Sequence, residues 1–356
     1  MENEGRNRST QLSLPSGRGI RSSRLWGRRK FVQGLATLAS AGLLGLESNP
    51  AGAEPPPETT RLTLVDDRTI CIAPMFVAKA LLKSEGFTDV RYIRDEEGSP
   101  TQRIAAGDAD LALNFVVDIA TRLDAAEPVL VLAGLHPGCM EVFATGRVRA
   151  IRDLKDKTVR ISSYGTASHL FLASMVAYVG LNPNKDIHWF EYPYSEAVRL
   201  FSAGKLDAFL AFPPTGQELR AQRIGHVVVN TSTDKPWSQY YCCMLHGNRD
   251  FVLKHPVATK RAMRAILKAT DLCAQEPERA ARFVVDKGYA SRYDYTLQTL
   301  KEVPYNAWRS YDPEDTLRFY MLRLLEVGMI KSRPHKLIAK GTDWRFLNEL
   351  KEELKA

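Results

Sequence analysis

The 356 residues predict an α/β protein built as two similar lobes followed by a helical tail. Three observations carry that prediction. Short apolar runs alternate with segments of helical period between residues 61 and 135. The same alternation recurs between residues 158 and 230, and from Asp250 onward only the helical period persists. Strands alternating with helices of this length form a parallel or mixed sheet with helices packed on it.

In the first block, residues 61–65 read as a strand and 75–85 as a helix stopped by Gly86. A strand at 90–93, a short helix at 101–106 ending at Gly107, and a buried strand at 110–114 follow. Residues 116–123 are helical in period, and 129–135 form a strongly apolar strand. The second block repeats the order. It has strands at 158–161, 188–192, 208–212 and 227–230, with helices at 167–179, 195–203 and 216–222. Gly180 and Gly204 close two of these helices, as expected where a chain must turn out of a helix. Helices at 257–274, 277–287, 295–302, 313–327 and 344–354 complete the chain.

The N-terminal residues read differently. Arg28-Arg29-Lys30-Phe31-Val32 leads into an uncharged run through Leu46, and Ala51-Gly52-Ala53 follows. A basic segment, a short apolar run and a small-residue cleavage site make a secretory leader. The arginine pair before Lys-Phe-Val fits the twin-arginine type, with Gly27 where Ser or Thr is common. Cleavage after Ala53 and a periplasmic location are therefore expected. The first 53 residues hold eight Arg/Lys and three Asp/Glu, so the net +8 of the whole sequence drops to about +3 beyond them. So small a charge on a chain of this length excludes a nucleic-acid footprint. No segment beyond the leader is long and apolar enough to cross a bilayer.

Five cysteines (Cys71, Cys139, Cys242, Cys243, Cys273) show no C-x-x-C and no Cys/His spacing of the local zinc type. They read as buried small hydrophobes. Cys242 and Cys243 are adjacent and on a strand would point to opposite faces, which disfavours a bond between them.

Ligands of open α/β sheets bind outside the carboxyl ends of the strands. The loops after each strand are therefore the place to look: 69–74, 97–101, 114–117 and 134–139, then 162–168, 192–195 and 212–215. The loop Ser162-Ser163-Tyr164-Gly165-Thr166-Ala167-Ser168 opens a helix, where free backbone N–H groups attract an anion or a hydroxyl simply caps the helix.

Several segments, in order, resemble the solute-binding proteins of ABC importers, in the branch for nitrate, alkanesulfonates, taurine and thiamine-precursor pyrimidines. Residues 104–112 (IAAGDADLA) are similar to that family's L-x-x-G-x-x-D-x-x segment, and 151–159 (IRDLKDKTV) to its I-x-x-L-K-G-K-x-V entrance to the second lobe, with Asp156 in place of Gly. Ser163-Tyr164-Gly165-Thr166-Ala167 stands at a Gly-Ser-Thr-like loop, and 197–209 resembles A-x-x-x-G-x-x-D-A. Phe212-Pro213-Pro214 stands where Trp-Glu-Pro is usual and lacks its acid, and 69–74 departs from the common small-polar loop.

The resemblance covers about residues 61–272. It implies a type II periplasmic binding fold: two lobes, two crossovers near 143–146 and 241–245, and a ligand between the lobes. The implied lobes are 54–145 with 245–356, and 146–244. It also implies a non-enzymatic importer component without a cofactor, a monomer that delivers its solute to an ABC permease and its ATPase.

Within these loops, the candidate ligand-binding residues are Cys71, Ser99, Asn114, His136, Ser163, Tyr164, Gly165, Thr166, Tyr194 and Phe212. Each has a plainer alternative, as a cap, a packed ring or a histidine bonded near the hinge. Aromatic residues outnumber charges, and no arginine occurs in the second-lobe loops. A planar or partly apolar organic molecule bearing a carboxylate or sulfonate therefore fits better than a nitrate-like ion. Two other readings compete. A sensor or adaptor docking a membrane partner shares the fold. The thiamine-pyrimidine synthase branch would place a cysteine-rich signature near Cys242-Cys243, where only two cysteines stand.

Overall fold

The computed structural model describes residues 54–67, 69–95 and 99–355. The expected leader and cleavage site lie outside these residues, as does Arg68. The first sheet runs in the order β2-β1-β3-β10-β4 and the second in the order β7-β6-β8-β5-β9. Strands of the first block are β1 (Arg61–Asp66), β2 (Asp89–Arg94), β3 (Leu111–Phe115) and β4 (Val129–Pro137). Those of the second are β5 (Glu141–Ala144), β6 (Lys157–Ile161), β7 (Ile187–Glu191), β8 (Ala208–Ala211) and β9 (His226–Asn230). The last strand, β10 (Tyr241–Asn248), returns to the first sheet.

Helices on the first block are α1 (Ala73–Ser84), α2 (Pro100–Ala106) and α3 (Val116–Asp124). On the second they are α4 (Ala167–Tyr178), α5 (Tyr194–Ser202) and α6 (Thr215–Gln222). The tail comprises α7 (Arg249–Lys254), α8 (Pro256–Gln275), α9 (Pro277–Asp286) and α10 (Tyr293–Glu302). It closes with α11 (Pro313–Glu326), α12 (Pro334–Gly341) and α13 (Arg345–Glu353).

Each sheet is parallel except for one central strand. β10 runs antiparallel between β3 and β4, and β5 antiparallel between β8 and β9. All nine residues of β4 are buried, as a strand covered by helices on both faces must be. α4 is buried continuously from Ser168 to Val176, and it packs on both α3 and α11. Phe115 and Phe171 meet there at 4.7 Å between ring centroids.

The residues expected to cross between lobes are instead these two central strands. β5 falls in the expected first lobe yet pairs within the second sheet, and the first half of β10 falls in the expected second lobe yet pairs within the first. The connections lie just outside them. They touch backbone to backbone: Thr231 N–H donates to the Met140 carbonyl at 2.9 Å, and the Thr231 hydroxyl donates to the same oxygen at 2.8 Å. The Ser232 hydroxyl donates to the Gly138 carbonyl at 2.7 Å. A Cβ on Gly138 would lie 1.9 Å from the Thr231 carbonyl group, so this approach requires glycine.

Candidate functional site

The carboxyl ends of the parallel strands present three clusters of polar side chains. The first lies on the second sheet and contains a residue that the loop survey missed. Arg160 belongs to β6 and is 1% exposed. Its Nε donates to the Tyr192 carbonyl at 2.8 Å and its Nη2 to the same oxygen and to the Ser162 hydroxyl. The guanidinium also stacks 5.2 Å from the Tyr194 ring centre. No carboxylate pairs with Arg160 among the described residues. Burial lowers its pKa to about 10, with Tyr194 acting in the opposite direction. The signal was overlooked because Arg160 occupies a strand position, and only its long side chain reaches the loop residues.

Tyr194 and Phe212 join this cluster. The Phe212 N–H donates to the Tyr194 hydroxyl at 2.9 Å, and the rings meet edge to face at 5.5 Å. The loop before α4 lies beside it. The Thr166 hydroxyl donates to the Ser163 carbonyl at 2.6 Å, and the Ser162 N–H to the Ser168 hydroxyl at 3.3 Å. Gly165 N–H donates to His169 Nδ1 at 3.1 Å. Tyr164 is 58% exposed, with its ring edge-on to His169.

The second cluster gathers Ser99 and Asn114. Ser99 caps α2, and its hydroxyl donates to Asp118. Asn114 Nδ2 donates to Asp118 Oδ2 at 2.7 Å and to Thr101 Oγ1 at 2.8 Å. Asp118 is buried, so this network satisfies an acid that would otherwise be costly to bury. Both predicted residues are thus held by the protein's own polar groups.

Cys71 and His136 meet in a third cluster. Cys71 sits on the turn after β1, His136 near the end of β4, and Cys243 beside His136 in the register of β10. Together with Cys139, their donor atoms all lie within 4.8 Å of one another. Only His136 and Cys139 are close in sequence; Cys71 and Cys243 join them from distant parts of the chain.

On the side where α6 meets α10, the two halves touch through ions. Arg220 Nη2 lies 2.8 and 2.7 Å from the two Glu302 oxygens, and Gln217 Nε2 donates to Glu302 at 2.9 Å. Arg220 Nη1 also reaches Glu141, at the start of β5, at 3.1 Å. Glu141 is 6% exposed, and burial raises its pKa to about 7 although Arg220 acts to lower it. A narrow crevice here is lined by Cys139, Glu141, Gln217, Asn230 and Glu302.

Two mixed α/β halves, each with one antiparallel central strand, touching crossovers and polar groups at the strands' carboxyl ends define the class of two-lobed periplasmic binding folds. The chain belongs to the NMT1-like family, whose profile matches residues 55–285. A curated relative, the nitrate/nitrite binding protein NrtA of Nostoc sp. PCC 7120, is 22% identical over 315 residues, covering 74% of this chain and 70% of the relative. The crystal structure of the periplasmic nitrate-binding protein NrtA from Synechocystis PCC 6803 superposes with a TM-score of 0.71 at 15% identity, covering 85% of this chain and 90% of that one. The alkanesulfonate-binding protein SsuA from Xanthomonas axonopodis pv. citri, solved bound to MOPS, gives 0.63 at 16% identity, covering 82% and 100%.

Proposed function

We propose that the protein is the periplasmic solute-binding component of an ABC importer, capturing a small organic anion between its lobes and presenting it to a membrane permease. It acts by binding, without turnover. The lobes are residues 55–138 with 241–356, and residues 139–240, joined where Gly138 meets Thr231. Closure about such a hinge is driven by the solute's extra affinity for the closed form.

The observation that carries the anionic reading is Arg160. A buried cation without a carboxylate partner sits directly beneath the loops at Ser162 and Tyr192. In a low-dielectric setting, such a charge favours a negative group near those loops. Free N–H groups at the start of α4 favour it further. The rings of Tyr194 and Phe212 supply an apolar wall beside that charge, which suits an organic body better than a bare inorganic ion. Ser163, Tyr164, Gly165 and Thr166 complete the second-lobe side, while Ser99 and Asn114 shape the first-lobe side through Asp118.

A thermal-shift screen of sulfonates, aromatic acids, pyrimidines and inorganic anions tests this reading. An organic sulfonate or carboxylate is expected to stabilise the protein. A response confined to nitrate or other inorganic anions would sink the organic-solute assignment.

A further inference from the structure

The thiol cluster has the composition and compactness of a metal centre. Cys71, Cys139 and Cys243 offer three sulfurs and His136 offers a ring nitrogen, all within 4.8 Å of one another. Tetrahedral zinc with bonds of about 2.3 Å to sulfur and 2.0–2.1 Å to nitrogen needs ligand-to-ligand separations of about 3.4–3.8 Å. Small side-chain rotations close that gap.

His136 supplies the second, independent observation. It is fully buried, and its Nδ1 lies 2.7 Å from the Pro137 carbonyl oxygen, to which it donates. That bond fixes the tautomer and leaves Nε2 as the lone-pair nitrogen. Nε2 is buried and, among the described residues, makes no well-formed hydrogen bond, facing instead the Cys71 and Cys243 thiols. A backbone carbonyl holding one ring nitrogen so that the other can ligate is the usual outer-sphere arrangement of a metal-bound histidine. The opposite wall is braced in the same manner: the Tyr305 hydroxyl donates to the Cys71 carbonyl at 2.8 Å, and its ring packs edge-on to His136 at 5.5 Å.

We infer that Cys71, His136, Cys139 and Cys243 form a tetrahedral zinc site of the Cys3His type at the base of the cleft between the lobes. Three thiolates and one imidazole are the donor set that selects zinc over hard, oxygen-seeking cations. Cys139 gives the route in, because it is the half-buried member and lines the crevice between the lobes. The site also lies across the hinge. Cys139 follows β4 in one connection, Cys243 follows the other connection on β10, and Cys71 follows β1. A bound ion would therefore tie both connections to the first sheet. Cys242, with Sγ 3.6 Å from that of Cys139 and 3.8 Å from that of Cys243, stands outside the four-donor set. The inference is independent of which solute the protein carries.

The test uses the full chain, purified under reducing conditions, stripped with a chelator and titrated with Co(II) and then Zn(II). One equivalent of Co(II) should give the intense visible bands of tetrahedral coordination with thiolate charge transfer in the near ultraviolet, and one equivalent of Zn(II) should abolish them. Cys139→Ser and His136→Gln, each checked for native circular dichroism, should weaken zinc by more than the roughly 10–100-fold that losing an outer-sphere partner costs. Cys242→Ser and Cys273→Ser should leave stoichiometry and spectrum unchanged. The inference is overturned by a folded protein that binds no Co(II), by a pale octahedral spectrum, or by equal affinity in Cys139→Ser. A Cys139–Cys242 disulfide in protein purified in parallel without reductant, or retention of Cu(I) with no zinc, would overturn it equally.

Discussion

Arg160 is the residue whose replacement says most about the site. Burial lowers the Arg160 pKa from 12.5 to about 10, so keeping the guanidinium charged costs at most roughly 3 kcal/mol. Arg160→Met removes that cost and keeps an apolar stem against Tyr194. It also strips the Tyr192 carbonyl of its donors, which costs about 1–3 kcal/mol for a buried acceptor left unpaired. The two effects nearly cancel, so stability in urea should change by no more than about 2 kcal/mol in either direction. Anion binding should not be spared. Losing one charge-assisted interaction of about 1.5–3 kcal/mol weakens an organic anion roughly 10- to 150-fold. Calorimetry with the strongest organic hit of the thermal-shift screen reads the second quantity, and urea unfolding reads the first. A variant that loses well over 3 kcal/mol of stability but binds the anion as before would refute the reasoning, because Arg160 would then be a structural brace alone.

Three further outcomes follow from the lobe contacts. Glu302→Gln breaks the Arg220–Glu302 pair, and with both side chains about one-third exposed the loss is about 1 kcal/mol. Small-angle scattering of the solute-free protein should then show a population moved about fivefold toward the open form; an unchanged profile would deny the latch. Glu141, raised from 4.5 to about 7 by burial, binds its proton more tightly folded than unfolded. Stability therefore falls as pH rises from about 4.5 to 7, by up to roughly 3 kcal/mol, and Glu141→Gln should flatten that slope. Parallel pH profiles for the two proteins would contradict the assignment. Gly138→Ala drives a methyl into the Thr231 backbone and should lower the melting temperature by several degrees, with a larger effect on solute affinity than Gly146→Ala, where nothing crowds the new Cβ.

The alternation of strands and helices was legible in the sequence because periodicity and helix-ending glycines are local signals. α4 and β4 stand where the apolar runs put them. The central antiparallel strands were not legible as strands. Glu141–Ala144 is four residues long, and its place in the second sheet depends on β8 and β9, which come some 60 to 90 residues later. The candidate site divides in the same way. Tyr194 and Phe212 meet as neighbouring loops predict, whereas Ser99 and Asn114 turn inward to Asp118, an acid whose burial no spacing announces. The thiol cluster lay deepest, because Cys71, Cys139 and Cys243 are brought together only by strand order. Arg160 was passed over for the opposite reason: its strand position was clear, but the reach of its side chain was not.

The central claim, capture of a small organic anion between two lobes, is tested most directly by native mass spectrometry of the protein purified without denaturation. The account predicts one equivalent of an anionic organic molecule released on unfolding, and its loss from Arg160→Met prepared in the same way. Recovery of a neutral or cationic molecule, or equal occupancy in Arg160→Met, would contradict it.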